Sequence, residues 1–196
     1  MQLNKGSKGF SFSKEGPLDM RMNPEGDLTA KEIVNKYSEK ELTSLIEEYG
    51  EERQARKAAK AIIEARRKSP IETTTQLASL LVGALGFRGK SKLHPATLVF
   101  QALRIAVNRE LSSIQEGLSK AIGFLSKGGV LGAISFHSLE DRIVKNLLKA
   151  ASFRNKKEGG LPFLQLLTKK PVVPTFAEIR MNARSRSAKM RFAEKT

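Results

Sequence analysis

The sequence predicts an α/β chain: a run of helices first, then a strand, a polar loop and a helix. Three observations predict it. Residues 25–93 keep a helical apolar period with hydroxyl caps and no strand pattern between them. Val130–Phe136 is a short, nearly continuous apolar run, of the kind found in a buried parallel strand. Directly after it, His137-Ser138-Leu139-Glu140-Asp141 leads into an amphipathic stretch, which is the strand–loop–helix grammar of α/β sheets.

Residues 2–24 come first. Gly6, Gly9 and Gly16 interleave with Phe10 and Phe12, and Pro17-Leu18-Asp19-Met20-Arg21-Met22 follows. A polar loop holding aromatics, a carboxylate and a guanidinium has the character of a site rim rather than of a core. A site loop so close to the first residue leads us to expect that its domain is incomplete in this chain.

In the helical block, Thr29-Ala-Lys-Glu32 and Ser38-Glu-Lys-Glu41 are capping boxes. Gly50 is expected to end the helix begun at Ser38. Residues 51–68 read as a second long helix with Ala55, Ala58, Ala59, Ile62 and Ile63 on one stripe, stopped at Ser69-Pro70. Thr73-Thr-Thr-Gln76 starts another, closed by Gly86. Pro95 sits at a helix start. The pattern then continues to about Leu125, with a break expected near Gly117 and Ser138 capping the helix that follows the strand. Residues 130–136, 163–168 and 188–195 are expected to be neighbouring strands, the last antiparallel to the other two, with 130–136 at an exposed edge. The division expected is a site loop at 1–24, a helical insertion subdomain at 25–93 and an α/β part with a basic tail at 94–196.

Composition narrows the function. The 196 residues carry a formal charge of +15, which points to a polyanionic partner, nucleic acid before an anionic membrane. The charge is uneven: +8 falls in residues 151–196, while 25–93 is nearly balanced at +2. The tail reads either as a solubilising segment or as a phosphate-contacting one; clustered cations of one sign favour phosphate contact through counterion release, with Arg184, Arg186, Lys189 and Arg191 as the RNA-contact candidates. The chain has no Cys and only two His, which excludes a disulfide framework and makes a structural metal site implausible. No apolar run reaches the roughly 18 residues of a membrane span, and no secretory signal pattern opens the chain. A cytoplasmic protein facing RNA or DNA is expected.

Among the candidate site residues, His137 falls at the carboxyl end of a strand, where α/β sheets bind ligands. It reads either as a proton-transfer group or as a residue fixing the turn. Asp19 and Arg21 read either as ligand contacts or as an intraloop ion pair. Gln101, Arg104 and Asn108 share a helix face that is either solvated or supports a pocket. Asp19, Arg21, Arg104, Ser135 and His137 together form the candidate pocket set. Gly128-Gly129 precedes a strand, so it is no dinucleotide fingerprint.

Several blocks then carry a family resemblance. They are Gln2-Leu3 with Gly9-Phe-Ser-Phe12; Gly16-Pro-Leu-Asp-Met-Arg-Met22; His94-Pro-Ala-Thr97 with Phe100-Gln-Ala-Leu-Arg-Ile105, Asn108 and Glu110; Ile134-Ser-Phe-His-Ser-Leu-Glu-Asp-Arg-Ile-Val-Lys145; Tyr49-Gly-Glu-Glu-Arg53; and Asn182-Ala-Arg-Ser-Arg-Ser-Ala-Lys-Met-Arg191. In these the chain resembles the bacterial small-subunit ribosomal RNA cytosine-N4 methyltransferase family. The resemblance implies a class I, Rossmann-like methyltransferase sheet carrying a helical insertion, of which this chain holds the C-terminal half. It implies S-adenosylmethionine as methyl donor, Gln2 as a donor-contacting residue, and the N4 amine of a cytosine in the decoding region of 16S ribosomal RNA as acceptor. The implied partner is the small ribosomal subunit or its RNA, with no metal and no membrane. Family members carry about a third more protein ahead of this point, with the Gly-rich loop and the acidic ribose-binding residue. No catalytic residue is therefore assignable here. The alternative is a non-catalytic RNA-binding remnant without the donor site. Self-association through the exposed sheet edge is also expected.

Overall fold

The computed structural model describes residues 8–87, 93–152 and 163–196. The chain divides into two compact units, Met1–Glu110 and Leu111–Thr196. The helix after His94 therefore belongs with the helical block instead of opening the C-terminal part. Gln2 and the basic segment 88–92 lie outside the described residues.

The first unit is built from α1 (Ala30–Lys36), α2 (Glu39–Gly50), α3 (Ala55–Arg66), α4 (Thr74–Leu85) and α5 (Thr97–Asn108). Capping boxes start α1 at Thr29, α2 at Ser38 and α4 at Thr73, each hydroxyl accepting the N–H three residues on. The helices pack α2 on α5 and α3, and α3 on α4. Leu42, Ile46, Ala58, Ile62, Leu77, Leu81, Val99 and Leu103 meet in one continuous core. Full burial of each Leu or Ile contributes about 1.5–3 kcal/mol.

Three helix boundaries differ from the sequence reading. Gly50 is helical, and the left-handed residue that closes α2 is Glu51, with φ 51°. Gly50 is needed for packing: a Cβ there would lie 2.7 Å from the carbonyl oxygen of Leu98 on α5. The break expected at Gly117 falls at Arg109, whose φ of 50° separates α5 from α6 (Glu110–Phe124). Gly117 meets nothing nearby and is carried inside α6. Residues 51–54 stay outside α3, which is shorter than the helix expected over 51–68.

The second unit contains most of α6, then β1 (Val130–Ser135), α7 (Ser138–Ser152), β2 (Leu164–Leu166), α8 (Phe176–Met181), a 3-10 turn at Ala183–Ser187 and β3 (Lys189–Lys195). The strand order is β1-β3-β2, with β3 antiparallel to both neighbours. All three strands fall where the sequence places them. β2 is short because Leu167 and Thr168 both turn their N–H groups to the Phe192 carbonyl, while the Thr168 hydroxyl accepts the Phe192 N–H at 3.0 Å. A side chain thus replaces the next rung of the ladder.

β1 is not the buried parallel strand that its apolar run suggests. Among the described residues it pairs only with β3, and antiparallel. Its side chains alternate: Leu131 and Ala133 pack towards a small core with Val144, Leu148, Leu164 and Ala193, whereas Val130 and Ile134 are 54% and 55% exposed. A run apolar on both faces has here been given one covered face. Gly132 leaves room for the Phe192 ring, whose nearest carbon would be 3.0 Å from an added Cβ.

Candidate functional site

The loop 8–26 of the first unit is fastened at many points. Gly9 has φ 71°, and a Cβ there would collide with the Pro17 carbonyl oxygen, so only Gly fits. Met20 is fully buried at φ 61°, a left-handed conformation that costs a non-Gly residue about 1–2 kcal/mol. It is held by its N–H donating to the Lys8 carbonyl and by its own carbonyl accepting from Asn108 Nδ2 at 2.7 Å. Asn108 Oδ1 also accepts the Met22 N–H at 2.7 Å. Thr74 fixes the other side, donating its N–H to Gly16 and its hydroxyl to Lys14.

Asp19 and Arg21 form the intraloop pair. Arg21 Nε and Nη2 each donate to an Asp19 carboxylate oxygen at 2.8 Å, while Nη1 donates to the carbonyls of Pro24 and Gly26. The guanidinium holds the Asp19 carboxyl below the ordinary carboxylate range. Arg104 is engaged with Glu110 by two bonds of 2.7 and 2.9 Å. Gln101 Nε2 donates to the Tyr49 carbonyl. The polar face of α5 is therefore scaffolding: it secures the loop and the end of α2.

Sequence reasoning gave His94 no role of its own. Its ring stacks on Phe12 at 4.5 Å with the planes 13° apart, and Phe12 meets Phe100 edge-on. Phe87, 69% exposed, also meets His94 edge-on. The available signal was the His-Pro pair directly after a basic loop, combined with the unexplained aromatics at 10 and 12.

In the second unit, His137 caps α7, where Ser138 was expected. His137 Nδ1 accepts the Glu140 N–H at 3.4 Å, and its carbonyl accepts the Asp141 N–H. Glu140 reaches back to the N–H groups of Phe136 and His137. This is a capping box with an imidazole in place of the hydroxyl. His137 Nε2 is buried 3.1 Å from Glu140 Oε1, outside good hydrogen-bond alignment. Burial pushes the Glu140 carboxyl up, but the imidazole contact and the Phe136 N–H outweigh it and leave it below its ordinary value. Ser135 is buried, its hydroxyl facing the Lys189 carbonyl.

The four tail cations separate into two kinds. Arg184 and Arg186 are exposed on the 3-10 turn. Arg191 is buried and donates to both oxygens of Asp141 at 2.7 and 3.1 Å. Lys189 Nζ lies 3.7 Å from the same carboxylate. The Arg191 guanidinium holds the Asp141 carboxyl below its ordinary range.

Two recesses accompany these residues. One, of about 550 Å³, is lined on the first unit by Tyr37, Tyr49, Lys40, Glu41 and Glu48. The other, of about 330 Å³ on the second unit, is walled by Lys145, Lys149, Lys169 and Arg191. The cations of the second oppose a positive ligand such as the sulfonium donor that the sequence resemblance implies. In the first, the Glu41 carboxylate is taken up capping α2, and Glu48 is a further carboxylate in its lining. Asp19, Arg21, Arg104, Ser135 and His137 each make a contact within the protein. No described helix is long and apolar enough to cross a membrane.

The sequence profile of the MraW methylase family matches residues 1–196. The chain is 50% identical over 207 residues to a ribosomal RNA small subunit methyltransferase H of Protochlamydia amoebophila, covering 99% of this chain and 64% of that protein. It is 50% identical to the protein of the same name in Caldicellulosiruptor bescii, covering 100% of this chain and 66% of the relative. For the one in Carboxydothermus hydrogenoformans the figures are 47%, 99% and 65%. The chain spans just under two thirds of the length of these relatives. The fastened loop, the His94 stack and the imidazole cap all fall inside the matched stretch, and the chain belongs to the MraW methylase family.

Proposed function

We propose that this chain is part of a ribosomal RNA methyltransferase that moves a methyl group from S-adenosylmethionine to the exocyclic N4 of a cytosine in the decoding region of the small-subunit RNA. The observation that carries the reading is the family match over all 196 residues, with relatives near half identity named for small-subunit RNA methylation. A cytoplasmic setting and the small ribosomal subunit as partner follow from that substrate. Gln2 is the donor-contacting residue in this reading. The fastened loop 8–26 forms a stiff rim beside the acceptor, and Arg184 and Arg186 meet RNA phosphates, positioning without reading sequence. The β1 edge is open to pairing with a second copy.

A second reading is a non-catalytic RNA-binding remnant: the candidate pocket residues Asp19, Arg21 and Arg104 are engaged with partners in the protein. One experiment separates the two. The chain is incubated with methyl-labelled S-adenosylmethionine and unmethylated small subunits, and the RNA is mapped for N4-methylcytosine. In parallel, donor affinity is measured by calorimetry. A single amide such as Gln2 contributes only about 1 kcal/mol net, so we expect donor affinity in the millimolar range or weaker for this chain alone. Micromolar affinity with label at a cytosine N4 supports an active enzyme in this chain. RNA binding without label supports the remnant, and label on another atom or another RNA overturns the cytosine-N4 assignment.

A further inference from the structure

The recess of about 550 Å³ in the first unit follows α2. Lys40, Ser44 and Glu48 recur along that helix at one-turn intervals, so they share a face. Tyr37 stands just ahead of the Ser38 cap and Tyr49 in the last turn, so a half-buried ring lines the recess near each end of the helix. Leu45 and Ala106 supply apolar lining between them. These are the only two Tyr of the chain, which has no Trp. Ligand sites typically enclose roughly 300–1,000 Å³, so this recess is large enough for one.

Its polar groups differ from those of α5, which secure the loop. Glu41 is taken up by the Ser38 cap. Lys40, Ser44 and Glu48 are exposed, and their side chains make no hydrogen bond or ion pair among the described residues. Burial, and after it the Glu48 carboxylate, raises the Tyr49 phenol above its ordinary value, so it remains a neutral donor. The recess thus offers ring faces, one ammonium and one carboxylate along a single groove. Rings stack on planar bases, an ammonium meets a phosphate, and a carboxylate accepts from the exocyclic amine of a base. A duplex hides those amines in its base pairs, so the match is to unpaired nucleotides. The charge of +15 on the chain draws such a polyanion in.

We propose that this recess binds an unpaired stretch of RNA, with bases against Tyr37 and Tyr49, a phosphate at Lys40 and the exocyclic amine of adenine or cytosine at Glu48. This rests on the RNA-modifying reading above. It adds a surface on the first unit that selects among bases, where the exposed arginines of the 3-10 turn only position the backbone.

The two tyrosines supply the reporter. The full chain is prepared with 3-fluorotyrosine, and its two fluorine resonances are assigned with Tyr37→Phe and Tyr49→Phe. Both should shift on titration with a short oligocytidylate. Affinity for oligouridylate, which has no amine for Glu48 to accept from, should be roughly tenfold weaker. Glu48→Gln should abolish that preference, because an amide presents either an acceptor or a donor. Lys40→Gln should weaken both oligomers alike and reduce the log–log salt slope by about 0.7, the loss of one single-strand phosphate contact. Equal affinity for the two oligomers, a preference that survives Glu48→Gln, or a salt slope unchanged in Lys40→Gln overturns the proposal. Resonances that stay in place while a gel shift shows the chain on small-subunit RNA overturn the recess and leave the RNA reading standing. A chain that binds neither the oligomers nor that RNA overturns both. Resonances moved by S-adenosylmethionine or by the proteins of the small subunit, and by neither oligomer, assign the recess to the donor or to a protein and overturn the proposal.

Discussion

The two units of this chain are stabilised in different ways. The helical unit buries a continuous core that runs from Leu18 to Leu103, and its helices begin at self-contained capping boxes. Among the described residues, the sheet unit has Val144, Leu148, Leu164 and Ala193 at the centre of its core. One face of its sheet carries Val130, Ile134 and, just beyond β1, Phe136, each more than half exposed. The first unit rests on apolar burial spread over many side chains. The second depends on few contacts, and its buried Arg191–Asp141 pair becomes correspondingly important.

The sharpest way to break this contrast is Asp141→Ala. Removing one partner of a buried ion pair leaves the other charge uncompensated and typically costs about 3–5 kcal/mol. Hydrogen exchange should show the sheet unit opening while α2 and α5 stay protected. The same pair sets an acid limit. Asp141 titrates below its ordinary range in the folded chain, so the folded state holds fewer protons than the unfolded one. Its contribution is complete above the ordinary carboxylate value and is lost as pH falls through the depressed one. Asp141→Asn should flatten stability against pH in that acid window, measured by denaturant titration. An unchanged profile would show that the pair does not anchor the sheet.

Leu103→Ala, in the helical core, should cost about 2–5 kcal/mol. Ile134→Ala, on the exposed face of β1, should stay within about 0.5 kcal/mol. Equal losses would remove the contrast. Asn108→Ala leaves the Met22 N–H and the Met20 carbonyl without their partner, at about 1–3 kcal/mol. Faster exchange should appear at the Met22 amide, with α3 and α4 unaffected. Ser38→Ala removes one cap and should cost about 1 kcal/mol, read as a shift in the denaturation midpoint.

The helical unit was the more legible in sequence for the same reason that it is the more self-contained. Thr29, Ser38 and Thr73 cap through contacts three residues away, so their signals are local. The strands were legible in position too, β1 from a short, bounded apolar run. What escaped was whatever depends on a distant partner. Gly50 looks like a terminator and is a packing residue, because Leu98 lies far along the chain. His137 is a different case: the sequence left it as an acid–base group or a residue fixing the turn, and it caps α7 through Glu140, three residues away. Arg191 looks like a phosphate ligand, and only the antiparallel fold of β3 brings it to Asp141. Arg21 keeps the intraloop pair with Asp19 that was one of its two readings, and Arg104 is engaged with Glu110 six residues on.

The bare face of the sheet has a practical consequence for handling this protein. A chain with a charge of +15 is kept apart from its copies by repulsion that reaches about 10 Å in 0.1 M salt and about 3 Å at 1 M. Added salt removes that repulsion and, for sulfate or phosphate, also strengthens the attraction between exposed apolar surfaces. Both effects act in one direction on Val130, Ile134 and Phe136. Solubility should therefore fall steadily with ionic strength, and earlier in sulfate than in chloride, with no salting-in at the low end. Light scattering during a salt series reads this directly, and RNA-binding titrations are best confined to chloride so that self-association does not distort their slope.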